Sequence, residues 1–229
     1  MKKDRSLIIA CDVDLQKYEE LLKATADVDA VGGYKVGFYL GLKYGLPRIV
    51  EIARKYTDKV IMYDHQKAAT DIPDTGEMFA EACADAGLDA IILFPQAGPE
   101  TEKAWIDACV KRKLGVIVGG LMTHKAYRKS DGGFLDDAGI YRMYEIAAEK
   151  GIKDFVVPGN KPDEIKKIRD LLLKKKVDPV FYAPGFVAQG GSISDAAKTA
   201  GSKWHAIVGR GIYEAKDMRK AAEELGKNL

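Results

Sequence analysis

The sequence predicts an α/β fold, a single (β/α)8 TIM barrel spanning 1–229, and three observations carry that expectation. Short apolar runs rich in Val, Ile and Tyr recur eight times, each is followed by a stretch able to hold a helix, and 229 residues is a length within the usual range of such a barrel. Strands that alternate with helices pair in parallel through right-handed crossovers. A doubly wound open sheet is the alternative that this alternation leaves open. No Ser/Pro-rich linker divides the chain and its 23 glycines fall at turns, so one domain is expected.

The strand candidates are 7–11, 34–38, 60–63, 90–94, 115–118, 154–157, 180–183 and 206–208. The helix after the sixth illustrates the local logic. Asn160 can cap it, Pro162 suits its first turn, and Asp163 and Glu164 complement its positive end. Ile165, Ile168, Leu171 and Leu172 then share one apolar face. Lys174, Lys175 and Lys176 close it as partners of the negative end on a wet surface, a simpler reading than a nucleic-acid patch.

A net charge of +2 supplies no global field to recruit nucleic acid or an acidic membrane, which makes a small molecule the default partner. The start, Met1 to Ser6, is charged, and the apolar run behind it is broken at Asp12, a pattern that fits neither a secretory signal nor a membrane span. Cys11, Cys83 and Cys109 are sparse and odd in number with no CxxC pair, so reduced thiols and a cytoplasmic location are expected. Cys11 reads as a small buried hydrophobe.

After the third strand, the stretch Tyr63-Asp64-His65-Gln66-Lys67-Ala68-Ala69-Thr70-Asp71 and on to Gly76 packs two acids and a lysine into eight residues directly behind an apolar run. An acid and an amine held together can exchange protons or stabilise developing charge, so this stretch is the candidate reactive centre. A solvated charged loop is the plainer reading. What favours chemistry is that polar groups recur at equivalent strand ends: Asp12, Lys35, Gln96, Thr123-His124, Asn160, Gln189-Gly190-Gly191 and Gly209-Arg210-Gly211. Lys35 sits in an otherwise apolar strand and is costly there without carboxylate partners, for which Asp64 and Asp71 are available.

The late glycine-bearing stretches, Pro184 to Gly191 and Val208 to Gly211, suit an anion. Glycines let backbone N–H groups approach it, and Arg210 adds a fork of donors. Loops after strands seven and eight are the usual phosphate site of such barrels, so a phosphate monoester is the expected handle. His65, His124 and His205 show no ligand-like spacing and nominate no metal site. His205 reads as a surface or satisfied core residue.

These pieces together resemble the orotidine 5′-monophosphate decarboxylase family over nearly the whole chain. The resemblance rests on Ala10-Cys11-Asp12, Tyr34-Lys35-Val36-Gly37, Asp64…Lys67…Asp71-Ile72-Pro73-Asp74-Thr75, Ala183-Pro184-Gly185…Ala188-Gln189-Gly190-Gly191 and Ile207-Val208-Gly209-Arg210-Gly211-Ile212-Tyr213. It implies metal-free, cofactor-free loss of CO₂ from orotidine 5′-monophosphate to give uridine 5′-monophosphate. By the same resemblance Lys35, Asp64, Lys67 and Asp71 form the catalytic array. Lys67 would stabilise and protonate the ring carbanion, Asp64 would lie near the departing carboxylate, and Lys35 would hold Asp64 and the ribose. Asp71 and Thr75 would reach into a partner subunit's site, which implies a homodimer. Asp12 would bind ribose, Thr123 the pyrimidine edge, and Gln189 with Arg210 the phosphate; Pro184, Gly190 and Gly209 complete the substrate-binding set.

The chain departs from the family in its spacing, D-x-x-K-x-x-x-D where D-x-K-x-x-D is usual. Alternate strand residues share a face, so Asp64 and Lys67 cannot both point inward from a flat strand, and a bulge or tight turn is expected between them. Lys67 and Asp71 would share a face if that turn were helical. Met122-Thr123-His124 stands where the family more often has serine, and Phe94-Pro95-Gln96 where histidine is common. Two other readings remain: a Mg²⁺-dependent sugar-phosphate lyase of the same superfamily, such as a hexulose-phosphate synthase or keto-gulonate-phosphate decarboxylase, and a barrel that binds nucleotide phosphates without catalysis.

Overall fold

The computed structural model describes residues 1, 3–66, 71–186 and 192–229. Eight strands, β1 (Arg5–Ala10), β2 (Val31–Val36), β3 (Val60–Asp64), β4 (Ala90–Leu93), β5 (Gly115–Gly119), β6 (Asp154–Val156), β7 (Val180–Pro184) and β8 (Trp204–Val208), follow one another around a closed barrel. Every neighbouring pair is parallel, and β1 closes on β8 with Ile8 opposite Ile207. Closure decides against the open sheet.

Each strand alternates between two apolar layers. Ile8, Ala10, Met62, Ile92, Ile117, Val156, Tyr182 and Ile207 fill the barrel interior. Leu7, Ile9, Tyr34, Val36, Ile61 and Tyr63 face the surrounding helices. The same alternation turns Lys35 and Asp64 inward, since each lies between or beyond residues of the outer layer.

All eight sequence runs coincide with strands, with shifted ends. β2 begins three residues before its predicted start, because Gly32 and Gly33 carry no apolar signal. A Cβ at Gly33 would stand 2.6 Å from the Val60 carbonyl oxygen, so close strand packing, not hydrophobic pattern, sets that boundary. Phe38 opens a short helix, Phe38–Tyr44, instead of extending β2. Cys11, Cys83 and Cys109 are all free and buried.

The helix Pro162–Lys174 buries Ile165, Ile168 and Leu172 as expected, with Leu171 half-buried beside them. Asn160 does not cap it. Lys161 holds the cap position without a side-chain bond, and the Asn160 amide instead donates to the Thr123 carbonyl at 3.3 Å. Asn160 is drawn into the barrel mouth because a neighbouring loop offers it an acceptor there. Glu164 is buried, accepting from the Tyr141 hydroxyl at 2.6 Å and from Lys167 at 3.1 Å.

His205 and Glu102 are buried away from the barrel mouth. His205 is a satisfied core residue, with Nδ1 2.8 Å from the Ser6 hydroxyl, and burial lowers it to about 4. Glu102, in the helix Pro99–Lys111, is buried with Oε1 unpartnered, and burial pushes its carboxyl up to about 8. The folded protein therefore keeps a proton on Glu102 that the unfolded chain releases near the ordinary value of 4.5. Stability from this group is present at low pH and falls as pH rises between those values, by roughly 5 kcal/mol at most. Urea midpoints of the wild type are expected to drop relative to Glu102→Gln between pH 5 and 8.5; parallel pH dependence in the two proteins would contradict this.

Candidate active site

A cavity of about 470 Å³ opens where the strands end, with Asp12, Lys35, Thr123, Pro184, Gly209 and Arg210 in its wall. Its floor is the last interior layer, Ala10, Phe94, Val156 and Ile207. A concave site with an apolar base and a few converging polar groups is the ordinary form of a small-molecule pocket.

Lys35 is 3% exposed and Asp64 0%, and the two meet with Nζ 2.5 Å from Oδ2. Burial by itself would lower the Lys35 ammonium, but the carboxylates of Asp64 and then Asp12 outweigh it and hold it above the ordinary lysine value. The pair is thus a buried dipole from adjacent strands, with Lys35 in the cavity wall and Asp64 buried behind it. Asp12 is exposed at the end of β1. Its Oδ1 would lie 3.0 Å from a Cβ at position 37, so Gly37 leaves room for this carboxylate beside β2.

β3 ends at Asp64, and the expected tight turn begins there. Asp64 Oδ1 accepts the Gln66 backbone N–H at 3.1 Å, an Asx turn that releases the chain from strand geometry. Lys67 lies outside the described residues, as do Gln189 and Gly190, so its turn-mate geometry with Asp71 is not described. Asp71 does not pair with Lys35, whose carboxylate is Asp64. It is exposed, and its Oδ1 accepts the Ile72 N–H at 2.8 Å. Its backbone direction is fixed from outside: Thr101 Oγ1 donates to the Asp71 carbonyl at 3.1 Å and Trp105 Nε1 to the Ile72 carbonyl at 3.1 Å. Thr75 Oγ1 donates to the Ile72 carbonyl at 2.8 Å. Neither Asp71 nor Thr75 lines this chain's cavity.

Arg210 is exposed at the cavity edge, and among the described residues it forms no ion pair. Thr123 lies on a loop that the next loop braces, since Asn160 holds the Thr123 carbonyl and Lys161 Nζ the Met122 carbonyl at 3.1 Å. Gln96 turns away from the cavity to donate to the Tyr127 hydroxyl at 2.8 Å, which in turn donates to the Gly120 carbonyl at 2.9 Å. His65 packs 4.6 Å from Phe79, and burial pulls its imidazole down. His124 lines the cavity, edge-on to Tyr127 at 5.4 Å. Among the described residues no three His, Cys, Asp or Glu side chains gather as a metal-holding group.

Sequence reasoning did not single out Gln66 and Tyr213, both of which line the cavity. Gln66 donates through Nε2 to Asp64 Oδ2 at 2.8 Å. The lengthened acid–lysine spacing was the available signal for it.

The sequence of the chain matches the model of a family described as "Orotidine 5'-phosphate decarboxylase / HUMPS family" over residues 5–225. A curated orotidine 5′-phosphate decarboxylase of Methanosarcina mazei is 33% identical over 100% of this chain and 97% of its own length. One from Pyrococcus furiosus is 33% identical over 95% of each. The crystal structure of the Methanocaldococcus jannaschii orotidine 5′-monophosphate decarboxylase complexed with inhibitor BMP superimposes with a TM-score of 0.84 at 27% identity, covering 98% of both chains. A match that begins in β1 and runs past β8, on a barrel whose mouth carries a buried Lys–Asp pair, leaves no part of the fold outside it: the chain belongs to the orotidine 5′-phosphate decarboxylase / HUMPS family.

Proposed function

We propose that this protein decarboxylates orotidine 5′-monophosphate to uridine 5′-monophosphate, a step of pyrimidine nucleotide biosynthesis, without metal or organic cofactor. The observation that carries the reading is the buried Lys35–Asp64 pair beside an exposed Arg210 at one cavity, in a chain whose full-length relatives are named for this reaction. The phosphate is the anchor. Gly209 and Arg210, with Pro184, Gln189 and Gly190 from the preceding loop, hold it at the rim, while Asp12 takes the ribose and Thr123 the pyrimidine edge.

In the chemical step the bond between the ring carbon and the carboxyl group breaks, CO₂ leaves, and the electron pair stays on the ring. The Lys67 ammonium meets that charge and then gives it a proton, which completes the product. Asp64, held by Lys35, sits near the departing carboxylate, and a preorganised ammonium stabilises the new charge with little reorganisation. Remote phosphate binding offsets the cost of bringing two negative groups together.

Asp71 and Thr75 serve the site of a partner subunit in a homodimer. Support comes from apolar side chains left exposed on the β2 and β3 connections, Leu42 at 83%, Met78 at 63% and Ile72 at 58%, the last directly beside Asp71. Three free, buried thiols agree with a reducing, cytoplasmic setting. No helix among the described residues is long and apolar enough to cross a membrane.

Purified protein mixed with orotidine 5′-monophosphate in EDTA should lose the orotate absorbance and release uridine 5′-monophosphate. Turnover that stops on chelation and returns with Mg²⁺ would favour the sugar-phosphate lyase branch, and binding without spectral change a non-catalytic barrel. Arg210→Ala should lower kcat/KM by roughly 10- to 150-fold, the value of one charge-assisted phosphate contact. Unchanged kcat/KM in that variant would remove Arg210 from the phosphate site.

A further inference from the structure

We infer that Gln66 is a positioning residue that sets the direction of the Asp64 carboxylate, a role that rests on the decarboxylase reading of the site. Its motif position has no counterpart in the shorter D-x-K spacing, and the chain uses the additional length for a double grip on one acid. The backbone N–H of Gln66 donates to Oδ1 at 3.1 Å, and its side-chain Nε2 donates to Oδ2 at 2.8 Å. Lys35 Nζ reaches the same Oδ2 at 2.5 Å. An ionised carboxylate has about four acceptor positions, so three fixed donors define both its plane and its rotamer.

The chemistry of the amide matters as much as its place. Asp64 works only as a negative charge of fixed position, and a second cation in place of Gln66 would neutralise it beyond what Lys35 already does. A neutral donor holds the oxygen without adding charge. Gln66 is half-buried and lines the cavity, whereas Asp64 is buried outright, so the amide also stands between the acid and the substrate space. Without it, Asp64 keeps the Lys35 contact and the turn, and its remaining lone pairs can draw water or rotate toward Lys35. Small displacements of an oriented group are expensive in rate.

Two substitutions test this, with wild-type turnover of orotidine 5′-monophosphate as the control for the reading itself. If the wild type forms no product, the assignment of activity fails, independently of Gln66. With the wild type active, Gln66→Met keeps the length of the side chain and removes its donor. It should lower kcat by roughly 100-fold while thermal midpoint and affinity for uridine 5′-monophosphate stay near wild type. Wild-type kcat, or a parallel loss of product affinity and thermal midpoint, would overturn the positioning role. Gln66→Glu supplies the sharper readout, because it sets a second carboxylate against Asp64 and makes one of the two hold a proton above the ordinary range. The protonated form of the introduced acid can donate to Asp64 as the amide does. The kcat of this variant should therefore climb as pH is lowered from 8 towards 5 relative to wild type, and a pH profile parallel to wild type would overturn the inference.

Discussion

Lys67→Ala should lower kcat for orotidine 5′-monophosphate by roughly 10⁴-fold or more, with uridine 5′-monophosphate still bound. A fixed ammonium has two duties in the proposed step. It stabilises the ring carbanion as it forms, an effect of order 10²–10³-fold for one preorganised donor, and it supplies the proton, worth roughly 10²–10⁴-fold as general-acid catalysis. No other residue is assigned to either duty, so both are lost together. Product affinity should survive because the phosphate and ribose contacts lie elsewhere. Near-normal turnover would remove Lys67 from the mechanism. Mixing Lys67→Ala with Asp71→Asn checks the shared-site arrangement in the same assay. If each site draws Lys67 from one chain and Asp71 from the other, hybrid dimers regain one intact site and activity returns. Failure to complement would assign each site to a single chain.

The second large effect separates stability from catalysis at the Lys35–Asp64 pair. Lys35→Met leaves the 0%-exposed Asp64 carboxylate without its cation, and Asp64→Asn leaves the 3%-exposed ammonium without its anion. Breaking a buried pair from one side costs about 3–5 kcal/mol, since the remaining charge stays desolvated. Both single variants should therefore lose several degrees of thermal midpoint along with activity. The double variant Lys35→Met/Asp64→Asn removes both charges, so it should recover much of the lost stability and none of the turnover. Additive losses in the midpoint would show that the pair is not energetically coupled, and recovered turnover would show that its charges are dispensable to the chemistry.

Much of this site is legible in the sequence because strand periodicity is local. Lys35 is conspicuous as the one charge in an apolar strand, and counting alternate residues along β3 already turns Asp64 to the side of Met62. Arg210 and the late glycines are placed by their order after the last strands. What is hidden depends on contacts between distant segments. The start of β2 at Gly32-Gly33 follows from close approach to its neighbours and leaves no apolar signature. Asn160 reads as a helix cap until the Thr123 carbonyl competes for its amide. Asp71 and Asp64 are equivalent partners for Lys35 on paper, and only the end of β3 at Asp64 decides between them. Gln66 is hidden in the same way. The two-residue gap before Lys67 reads as a departure to be accommodated, whereas the second of those residues holds the acid in place.

A crystal structure with uridine 5′-monophosphate bound decides the placement of Lys67. The phosphate is expected against Arg210 and the glycine loop before it, with Lys67 Nζ within roughly 3.5 Å of the ring carbon that bears the carboxylate in the substrate, a reactive separation. An amine directed to bulk solvent, remote from a nucleotide whose phosphate is held at that rim, would contradict it.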